Sequence, residues 1–586
     1  MIDLYPRPRH VDALNETVRC AAAVEPVLDR SLPAQGYEVH VTADRAVLAH
    51  RDEAGRRYGE QTIRQLRGAD HTLPAADIRD HPDIATRGVM LDISRDRVPT
   101  RATLQRLVEL VATARYNQLQ LYVEHTYAYR HHAQVWRDAS PITPDDLGWL
   151  DQLCAGHGIE LVANQNCFGH MGRWLAHRSY RQRAECPEGI EVAPGLRLPP
   201  GVLAPTASNA EFAIGLVREQ MEALTSRTAN IGCDETFELG RGASAQRVAD
   251  IGLATVYGEH LARLVHPLLA DGCSVQFWAD VLARHPAAAD LLPPGDLTPI
   301  VWNYDAPDAP APTVHPWLAA ILDEIGIDLH ATTDFASRLA ELPPTAPAPW
   351  VAAGTSSWNS LIGRLDNARA NLLDAATTAV AASLTGLVVT DWGDGGHHHP
   401  PSISDPALLY GGALAWCVAT NHDLDIPEAV NRHVALDPTG IIGRVLDEIG
   451  SLHARTGLVA RNVSPLVAAL FPQEPHITSG TPDPDAIDGI IAALDRAQQD
   501  LTRAQPAAAD GGTIVAELDV AIGLARHGAR RLAATARSEA LDRRAMHDDL
   551  SSLCRRYEEV WNLRSRPGGR ADSIAHLTRT LDLYRD

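Results

Sequence analysis

Two adjacent carboxylates, Asp234 and Glu235, end an apolar segment and precede a glycine-bearing loop in NIGCDETFELGRG, residues 230–242. On a strand, the two side chains would point to opposite sides and could serve different roles. Glycosidic bonds are cleaved by a carboxylic acid near the departing oxygen and a second group on the other face of the sugar. Asp-Glu pairs are also common in solvated loops, so the pair indicates this chemistry only together with its surroundings.

Tryptophan is concentrated where a sugar pocket would need it. Aromatic residues make up only 5% of the chain, yet a Trp stands near the end of four successive apolar segments, at Trp278, Trp302, Trp358 and Trp392. A pyranose ring packs well against an aromatic face. Any one of these residues could simply fill a rim, but four in register beside carboxylates predict a pocket.

The elements that must position these residues alternate between short apolar runs and longer helical patterns. The runs are GVMLDI, NQLQLYVE, IELVAN, TANIGCDE, SVQFWAD, PIVWNYD, WVAAGTSSW and GLVVTDWGD. About eight strands with intervening helices favour an α/β fold of the (β/α)₈ barrel type, with a doubly wound sheet as the alternative. In a barrel, the polar and aromatic residues at the strand ends converge on one mouth.

Three zones follow from these patterns. Residues 1–85 contain EVHVT, RAVLAH and YGEQTIRQL, which predict a small N-terminal α+β domain. Residues 86–420 are the predicted barrel, and residues 421–586 are a predicted helical C-terminal region in which we see no functional motif.

The composition of the chain restricts the kinds of partner that it could bind. The chain of 586 residues has 74 acidic and 52 basic side chains, a formal charge of -22, which disfavours nucleic acid and membrane partners. Eight cysteines without a C-x-x-C pair, and a first stretch without the apolar run of a signal peptide, predict reduced thiols in the cytoplasm. His397, His398 and His399 adjoin in a loop without a spaced partner, so we expect no metal and no cofactor.

Several of these segments together resemble glycoside hydrolase family 20, the β-N-acetylhexosaminidases, and within it the hexosaminidase D-like branch. The resemblance covers about residues 38–420. It rests on RGVMLDISRDRVPT (87–100), QLQLYVEHTYAYR (118–130), FGH (168–170), IGCDE, QFWAD, VWNYD and TDWGD, which occur in the family's order.

The resemblance implies substrate-assisted catalysis, in which the acetamido oxygen of the sugar attacks its own anomeric carbon. Glu235 then acts as the acid and afterwards as the base, and Asp234 orients the acetamido group. Such an acid must hold its proton near neutral pH, so we expect burial or a nearby anion to raise the pKa of Glu235.

The resemblance also assigns substrate-binding roles. Arg87 is the candidate for gripping sugar hydroxyls, since a guanidinium donates to two of them at once. His170 and either Glu124 or His125 match a supporting carboxylate-histidine pair. Asp394 matches the residue that binds the outer hydroxyls, with Trp392 as the pocket wall. The family's Tyr after the seventh strand is absent, and Tyr304 or Asn359 could contact the acetamido oxygen instead.

The expected function is removal of terminal β-linked GlcNAc or GalNAc from a glycan or small glycoside, with retention. The alternatives are a retaining β-glycosidase of other specificity, and a sugar-binding protein that lacks turnover. The sequence does not set the preference between the two sugars, the linkage or the oligomeric state.

Overall fold

The computed structural model of the chain describes residues 3–325, 327–329 and 331–585. It begins with a five-stranded sheet in the order β1-β5-β3-β4-β2, and one helix packs against this sheet. The elements are β1 (His10–Cys20), β2 (Val24–Leu28), β3 (Tyr37–Val41), β4 (Ala46–His50), α1 (Glu53–Leu66) and β5 (Leu73–Asp80). Asp52 begins α1 by accepting the backbone N–H of Gly55, which satisfies one of the free donors at the helix start.

The central part of the chain is a closed parallel barrel. In the described residues its eight strands follow one another in chain order, and β15 pairs with β6 to close the ring. They are β6 (Thr86–Asp92), β7 (Gln118–Tyr122), β8 (Glu160–Asn164), β11 (Thr228–Asn230), β12 (Ser274–Trp278), β13 (Leu297–Trp302), β14 (Trp350–Gly354) and β15 (Gly386–Asp391), with β9 (Ile190–Ala193) and β10 (Leu196–Leu198) as a hairpin outside it. This confirms the (β/α)₈ barrel and excludes the doubly wound sheet. Each strand overlaps one of the eight predicted segments, although β6 and β13 begin two residues before theirs.

Helices and loops connect the barrel strands. The helices are α2 (Arg101–Thr113), α3 (Ala133–Trp136), α4 (Pro144–Gly156), α5 (Gly172–Leu175), α6 (Ala207–Met221), α7 (Ala245–Ile251), α8 (Leu253–Ala270), α9 (Asp280–Arg284), α10 (Pro316–Glu324), α11 (Phe335–Ala340), α12 (Leu365–Ala381) and α13 (Asp405–Trp416). Several begin at a threonine whose hydroxyl accepts a backbone N–H, as Thr100, Thr143 and Thr206 do. In these three connections the threonine marks the residue at which the helix begins.

The remainder of the chain is largely helical and packs on the barrel. It contains α14 (Val418–Asn421), α15 (Ile426–Val430), α16 (Ile441–Gly450), β16 (Leu458–Ala460), α17 (Pro465–Leu470), β17 (Thr478–Gly480), α18 (Pro484–Leu501), α19 (Gly511–Arg537), α20 (Arg543–Arg564) and α21 (Arg570–Asp582). Arg106 of α2 pairs with Asp405 and with Asp510, so an ion network joins this region to the barrel. The boundaries at residues 85 and 420 stay a prediction.

The N-terminal sheet covers the amino end of the barrel. Buried Arg115 donates to Asp80 at 2.8 Å, and the indole of Trp416 donates to the same carboxylate at 2.9 Å. A buried charge of this kind is tolerated because it is paired and hydrogen-bonded. The contact leaves the carboxyl ends of the strands uncovered by the N-terminal sheet.

None of the described helices is long and apolar enough to cross a membrane.

Candidate active site

The two carboxylates lie on the same side of the chain, which corrects the expectation that they point apart. Strand β11 ends at Asn230, before the acidic pair, and the next residues leave the extended conformation. Gly232, Cys233 and Glu235 have φ values of 66°, 72° and 49°, in the left-handed region. As a result, Nε2 of His170 lies 3.2 Å from Asp234 Oδ2 and 3.4 Å from Glu235 Oε2.

Two glycines make this arrangement possible. A Cβ on Gly232 would lie 2.5 Å from the side-chain amide carbon of Asn166, whose nitrogen donates to Asp234 Oδ1 at 2.8 Å. A Cβ on Gly169, in the FGH segment, would collide with the backbone oxygen of Asp234. The glycines therefore allow the loop that carries His170 to approach the carboxylates closely.

The pKa values of the two carboxyl groups beside His170 are shifted in opposite directions. Burial disfavours a charged His170, but Asp234 and Glu235 more than offset this and raise its pKa to about 10. Burial also acts against ionised Asp234, yet His170 and Asn166 lower the pKa of this carboxyl below its usual value. The surrounding walls of the barrel mouth partly desolvate Glu235 and raise its pKa, and the charges of Asp234 and Asp394 add to the rise. Asp234 is thus the ionised partner and Glu235 the better proton donor.

The exposed fractions of the two side chains agree with Glu235 as the proton donor and Asp234 as the ionised partner. The side chain of Glu235 is 43% exposed and that of Asp234 only 9%. A group that exchanges a proton with a departing oxygen and then with water must be reachable from the barrel mouth. Glu235 meets this requirement, while Asp234 is held behind it.

Glu124 rather than His125 faces the site. Its Oε1 accepts from the hydroxyl of Tyr122 at 3.0 Å, lies 3.2 Å from a guanidinium nitrogen of Arg95 and 4.0 Å from Nδ1 of His170. The buried ring of His125 has no hydrogen bond to Nδ1 in the described part of the chain. The structure therefore brings together Glu124 and His170, as the first of the two alternatives expected.

Arg87 is far from the mouth, so its expected role in gripping the sugar is wrong. It stands at the start of β6, where its guanidinium donates to the backbone oxygens of Ile84 and Arg115 and to the hydroxyl of Tyr58. This is the amino end of the barrel, where the side chain is fully buried against the N-terminal sheet. A residue that begins a barrel strand cannot reach the opposite, catalytic end.

Arg95, eight residues further along the same segment, occupies the mouth instead. It donates to Asp92 at 3.0 Å and lies over the rings of Tyr122 and Trp392, at 5.0 and 5.3 Å from their centroids. The signal was present in DISRDR, because Arg95 follows the strand and Arg87 precedes its apolar core.

Replacing Arg95 by methionine is therefore expected to lower kcat/KM by about 10²-fold, since a charged donor to sugar hydroxyls is lost. Replacing Arg87 by methionine is expected to change kcat/KM by less than about threefold but to lower the melting temperature, because buried carbonyls lose their donor. Steady-state kinetics and thermal unfolding of both variants measure this. The reverse pattern, with Arg87→Met losing activity at normal stability, would contradict the assignment.

The aromatic residues form a connected wall around the mouth. Trp278 and Trp392 lie 6.0 Å apart, Tyr304 and Trp358 5.1 Å, and Trp302 stacks on Tyr304 at 5.4 Å between centroids. Trp392 is 8% exposed, whereas Trp278 and Trp358 are 1% and 0% exposed. The last two support the wall from behind, and half-buried Trp302 presents a ring at the surface.

Tyr304 and Asn359, the two candidates for contacting the acetamido oxygen, differ in the contacts that they already make within the protein. The side-chain nitrogen of Asn359 donates to the backbone oxygen of Asn462 at 3.1 Å, so one of its two N–H donors is already used. The hydroxyl of Tyr304 lies within the wall, beside Trp392 and Thr390. The geometry favours Tyr304, while Asp394 stands near Arg95 at the outer edge with a pKa raised by burial.

Asp280, which follows Trp278 in QFWAD, is a site residue that the sequence reasoning missed. Its Oδ2 accepts the backbone N–H of Glu235 at 3.2 Å, and its buried Oδ1 has no hydrogen-bond partner in the described residues. Burial, followed by the charge of Asp234, raises the pKa of Asp280 to about 7. Its position after a strand-end Trp was the signal that could have identified it.

Asp280→Asn is expected to stabilise the protein at pH 8 but not at pH 4. The unfolded carboxyl loses its proton near about pH 4, and the folded one keeps it until about pH 7. Between these values the folded state binds more protons, so the stability of the wild type falls as the pH rises. Asparagine retains an oxygen for the N–H of Glu235 and does not titrate.

Melting temperatures at the two pH values, with exposed Asp485→Asn as the control, test this expectation. A gain of a few degrees at pH 8 that is absent at pH 4 supports it, since 1 kcal/mol corresponds to about 1 °C in a chain of this length. An equal change at both pH values would show that Asp280 is ionised throughout.

The three adjacent histidines turn in different directions. The rings of His397 and His399 stack at 4.6 Å, whereas His398 packs against Phe471 of the C-terminal region at 4.7 Å. Across residues 3–325, 327–329 and 331–585, no group of three or more His, Cys, Asp or Glu side chains is arranged to hold a metal ion.

Several known proteins are similar to parts of this chain. Residues 2–81 match the family model described as glycosyl hydrolase family 20, domain 2. A β-hexosaminidase of Akkermansia muciniphila is 26% identical over 189 residues, 28% of this chain and 38% of that protein, so the chain spans well under half of this relative's length. A β-N-acetylhexosaminidase of Cellulomonas fimi is 24% identical over 399 residues, 58% of this chain and 79% of that protein.

Solved structures share the fold. A chitobiase from Flavobacterium johnsoniae superimposes with a TM-score of 0.54 and 13% identity, covering 96% of this chain and 98% of the other. A β-N-acetylhexosaminidase from Streptomyces coelicolor gives a TM-score of 0.51 and 15% identity over 76% and 96% of the two chains.

The chain thus forms a closed parallel (β/α)₈ barrel that carries two adjacent carboxyl groups at its mouth, beside an aromatic wall. Residues 2–81 match a domain of glycoside hydrolase family 20, and the two relatives that are similar to parts of the chain are a β-hexosaminidase and a β-N-acetylhexosaminidase.

Proposed function

We propose that the protein is an exo-acting, retaining β-N-acetylhexosaminidase that removes terminal β-linked GlcNAc or GalNAc. The observation that carries this proposal is the imidazole of His170 placed between Asp234 and Glu235, on one side of the mouth. Two carboxyl groups on the same side do not flank a sugar as an acid and an opposing nucleophile must. The nucleophile then comes from the substrate itself.

In the first step, the acetamido carbonyl oxygen forms a bond to the anomeric carbon, and the bond from that carbon to the leaving oxygen breaks. Glu235 donates its proton to the leaving oxygen. Asp234, ionised beside His170, accepts the acetamido N–H and stabilises the positive charge of the oxazolinium ring.

In the second step, the Glu235 carboxylate takes a proton from water, whose oxygen attacks the anomeric carbon from the face that the leaving group vacated. The bond to the acetamido oxygen breaks, and the product keeps its anomeric configuration. Two inversions at one carbon give this retention.

Binding of the terminal sugar is assigned to the side chains around this pair. Arg95 and Glu124 are placed to bind hydroxyls, Asp394 lies at the outer edge, and Trp392 provides the wall for the acetamido methyl group. Tyr304 is the proposed donor to the acetamido oxygen.

The relatives support the same activity, since those from Akkermansia muciniphila and Cellulomonas fimi are a β-hexosaminidase and a β-N-acetylhexosaminidase. We also propose a cytoplasmic location. Its support is that all eight cysteines are free and seven of them are buried, which suits a reducing compartment.

The test is hydrolysis of 4-nitrophenyl β-GlcNAc, β-GalNAc, β-glucoside and β-galactoside by the purified protein, with and without a chelator. Cleavage confined to the two N-acetylated substrates supports the proposal. Equal cleavage of the other two would indicate a β-glycosidase of other specificity. Saturable binding of N-acetylhexosamine without any hydrolysis would indicate a sugar-binding protein.

A further inference from the structure

The turn between α20 and α21 packs against the two loops that carry Arg95 and Asp394. Residues 564–573, here called the 564–573 segment, contain the end of α20, the sequence SRPGG and the start of α21. Arg95 lies in the loop between β6 and α2, and Asp394 lies in the loop after β15. Both loops leave the carboxyl end of a barrel strand, where enzymes with this fold keep their chemistry. The C-terminal region, in which the sequence shows no functional motif, thus reaches both loops of the site.

Backbone hydrogen bonds pair the 564–573 segment with the β6–α2 loop. The N–H of Arg566 donates to the oxygen of Val98 at 2.8 Å, and the N–H of Thr100 donates to the oxygen of Arg564 at 2.9 Å. An antiparallel β-bridge lies between these two bonds. Antiparallel pairing of this kind sets the register of the two backbones. The loop that carries Arg95 is therefore held from outside the barrel.

Gly569 permits the closest approach of the two backbones. Its φ of 75° lies in the left-handed region, and a Cβ at this position would overlap the backbone oxygen of Asp96. Asp96 follows Arg95 directly and is itself left-handed, with a φ of 68°. A side chain at position 569 would therefore displace the backbone one residue beyond Arg95.

Arg97 joins the same loop to α20. Its backbone N–H donates to the oxygen of Arg95 at 2.9 Å, and its guanidinium lies 4.3 Å from the ring centroid of Trp561. A cation over an indole face is attracted by the ring. The turn from Arg95 to Arg97 is thus fixed by the barrel at one end, through Asp92, and by α20 at the other.

Ser573 holds the second loop. Its hydroxyl donates to the backbone oxygen of Gly396 at 2.8 Å and lies 2.9 Å from the hydroxyl of Tyr557, and its side chain is fully buried. Gly396 in turn closes the loop around Asp394, because its N–H donates to the oxygen of Gly393 at 3.1 Å. Loss of the Ser573 hydroxyl would remove a donor from a buried carbonyl, which is costly.

These contacts differ from those that only attach the C-terminal region to the barrel. The ion network of Arg106 with Asp405 and Asp510 joins helices and includes neither loop. The 564–573 segment, by contrast, contacts the backbone within three residues of Arg95 and within two of Asp394. A small displacement of the segment would therefore move both side chains.

We propose that the 564–573 segment positions Arg95 and Asp394 for the terminal sugar, with Gly569 and Ser573 as the positioning residues. The inference rests on the proposed function, which assigns Arg95 and Asp394 to the sugar. Gly569 and Ser573 do not touch the substrate, and each acts through the loop that it contacts. The C-terminal region is then required for an assembled sugar site.

A double-mutant cycle tests whether Gly569 acts through Arg95. Gly569→Ala is expected to lower kcat/KM on the better cleaved of 4-nitrophenyl β-GlcNAc and β-GalNAc by about tenfold, because a group displaced by a fraction of an ångström binds poorly. In an Arg95→Met background the same change is expected to cost less than about twofold, since the positioned group is absent. Gly489→Ala is the matched control, because a Cβ there, on exposed α18, would meet nothing within 4 Å. It is expected to keep the kcat/KM of each background.

A second cycle combines Ser573→Ala with Asp394→Asn. Ser573→Ala is expected to lower kcat/KM by about threefold in the wild type and to have no further effect when Asp394 is replaced. This change removes one oxygen and introduces no steric conflict. It therefore tests the proposal even if Gly569→Ala does not fold.

The outcomes separate this proposal from the proposed function. A wild type that cleaves neither N-acetylated substrate would contradict the proposed function, and the positioning role would fall with it. In an active enzyme, equal losses in both backgrounds would overturn the positioning role alone, because a general loss of folded protein lowers both activities alike. Folded Gly569→Ala and Ser573→Ala variants with wild-type kcat/KM would overturn it as well.

Discussion

Glu235→Gln is expected to lower kcat for a disaccharide by about 10²–10⁴-fold while KM changes little, because the amide cannot donate the proton that the leaving oxygen requires. The variant keeps the size of the side chain and removes only the titrating group. The loss is expected to be smaller for a 2,4-dinitrophenyl glycoside, whose leaving group departs without a proton. Steady-state kinetics on both substrates measure the difference.

Glu238→Gln provides a matched control. Glu238 is a nearby buried acid whose pKa is raised to about 7 by burial, but its carboxylate accepts the backbone N–H of Gly201 instead of facing His170. Glu238→Gln is expected to leave the ratio of the rates on the disaccharide and the 2,4-dinitrophenyl glycoside at its wild-type value. An equal loss on both substrates for Glu235→Gln would show that the residue does not act as the acid.

Asp234→Asn is expected to lower kcat/KM on N-acetylated substrates by about 10²–10³-fold, because the charge that stabilises the oxazolinium ring is lost. The change also removes the principal attraction that raises the pKa of His170, so this pKa should fall below its value of about 10. Titration of the imidazole by NMR measures this second effect independently of activity. Since Asp234 also raises the pKa of Glu235, the alkaline limb of the kcat/KM profile should move to lower pH.

The control for this variant is Asp366→Asn, at a half-buried position of α12 where the carboxylate faces His453 instead of His170. It is expected to leave both the pH profile and the titration of His170 unchanged. If Asp234→Asn keeps normal turnover of N-acetylated substrates, Asp234 has no part in holding the acetamido group.

Much of the scaffold follows from local sequence patterns. The eight barrel strands were predictable because each is a short apolar run bounded by helical patterns, and the acidic pair and Trp392 were predictable as site residues because barrel strands end at one mouth. The N-terminal sheet was harder to predict, since β1, β2 and β5 have no clear alternation. Their pairing partners lie far away in the chain, so only the folded sheet determines the register.

The sequence by itself determined the fold class and singled out Glu235 as the proposed acid. Tertiary structure decided the features that depend on where distant segments meet. The left-handed turn at Gly232 to Glu235 places both carboxylates on His170, and a periodic pattern cannot encode such a turn. Arg95 faces the mouth while Arg87 faces the N-terminal sheet. Residues 461–464 reach the site from more than 200 positions beyond Glu235, because the hydrogen bonds of Asn462 to Asp305 and Trp358 join segments that are far apart in the chain.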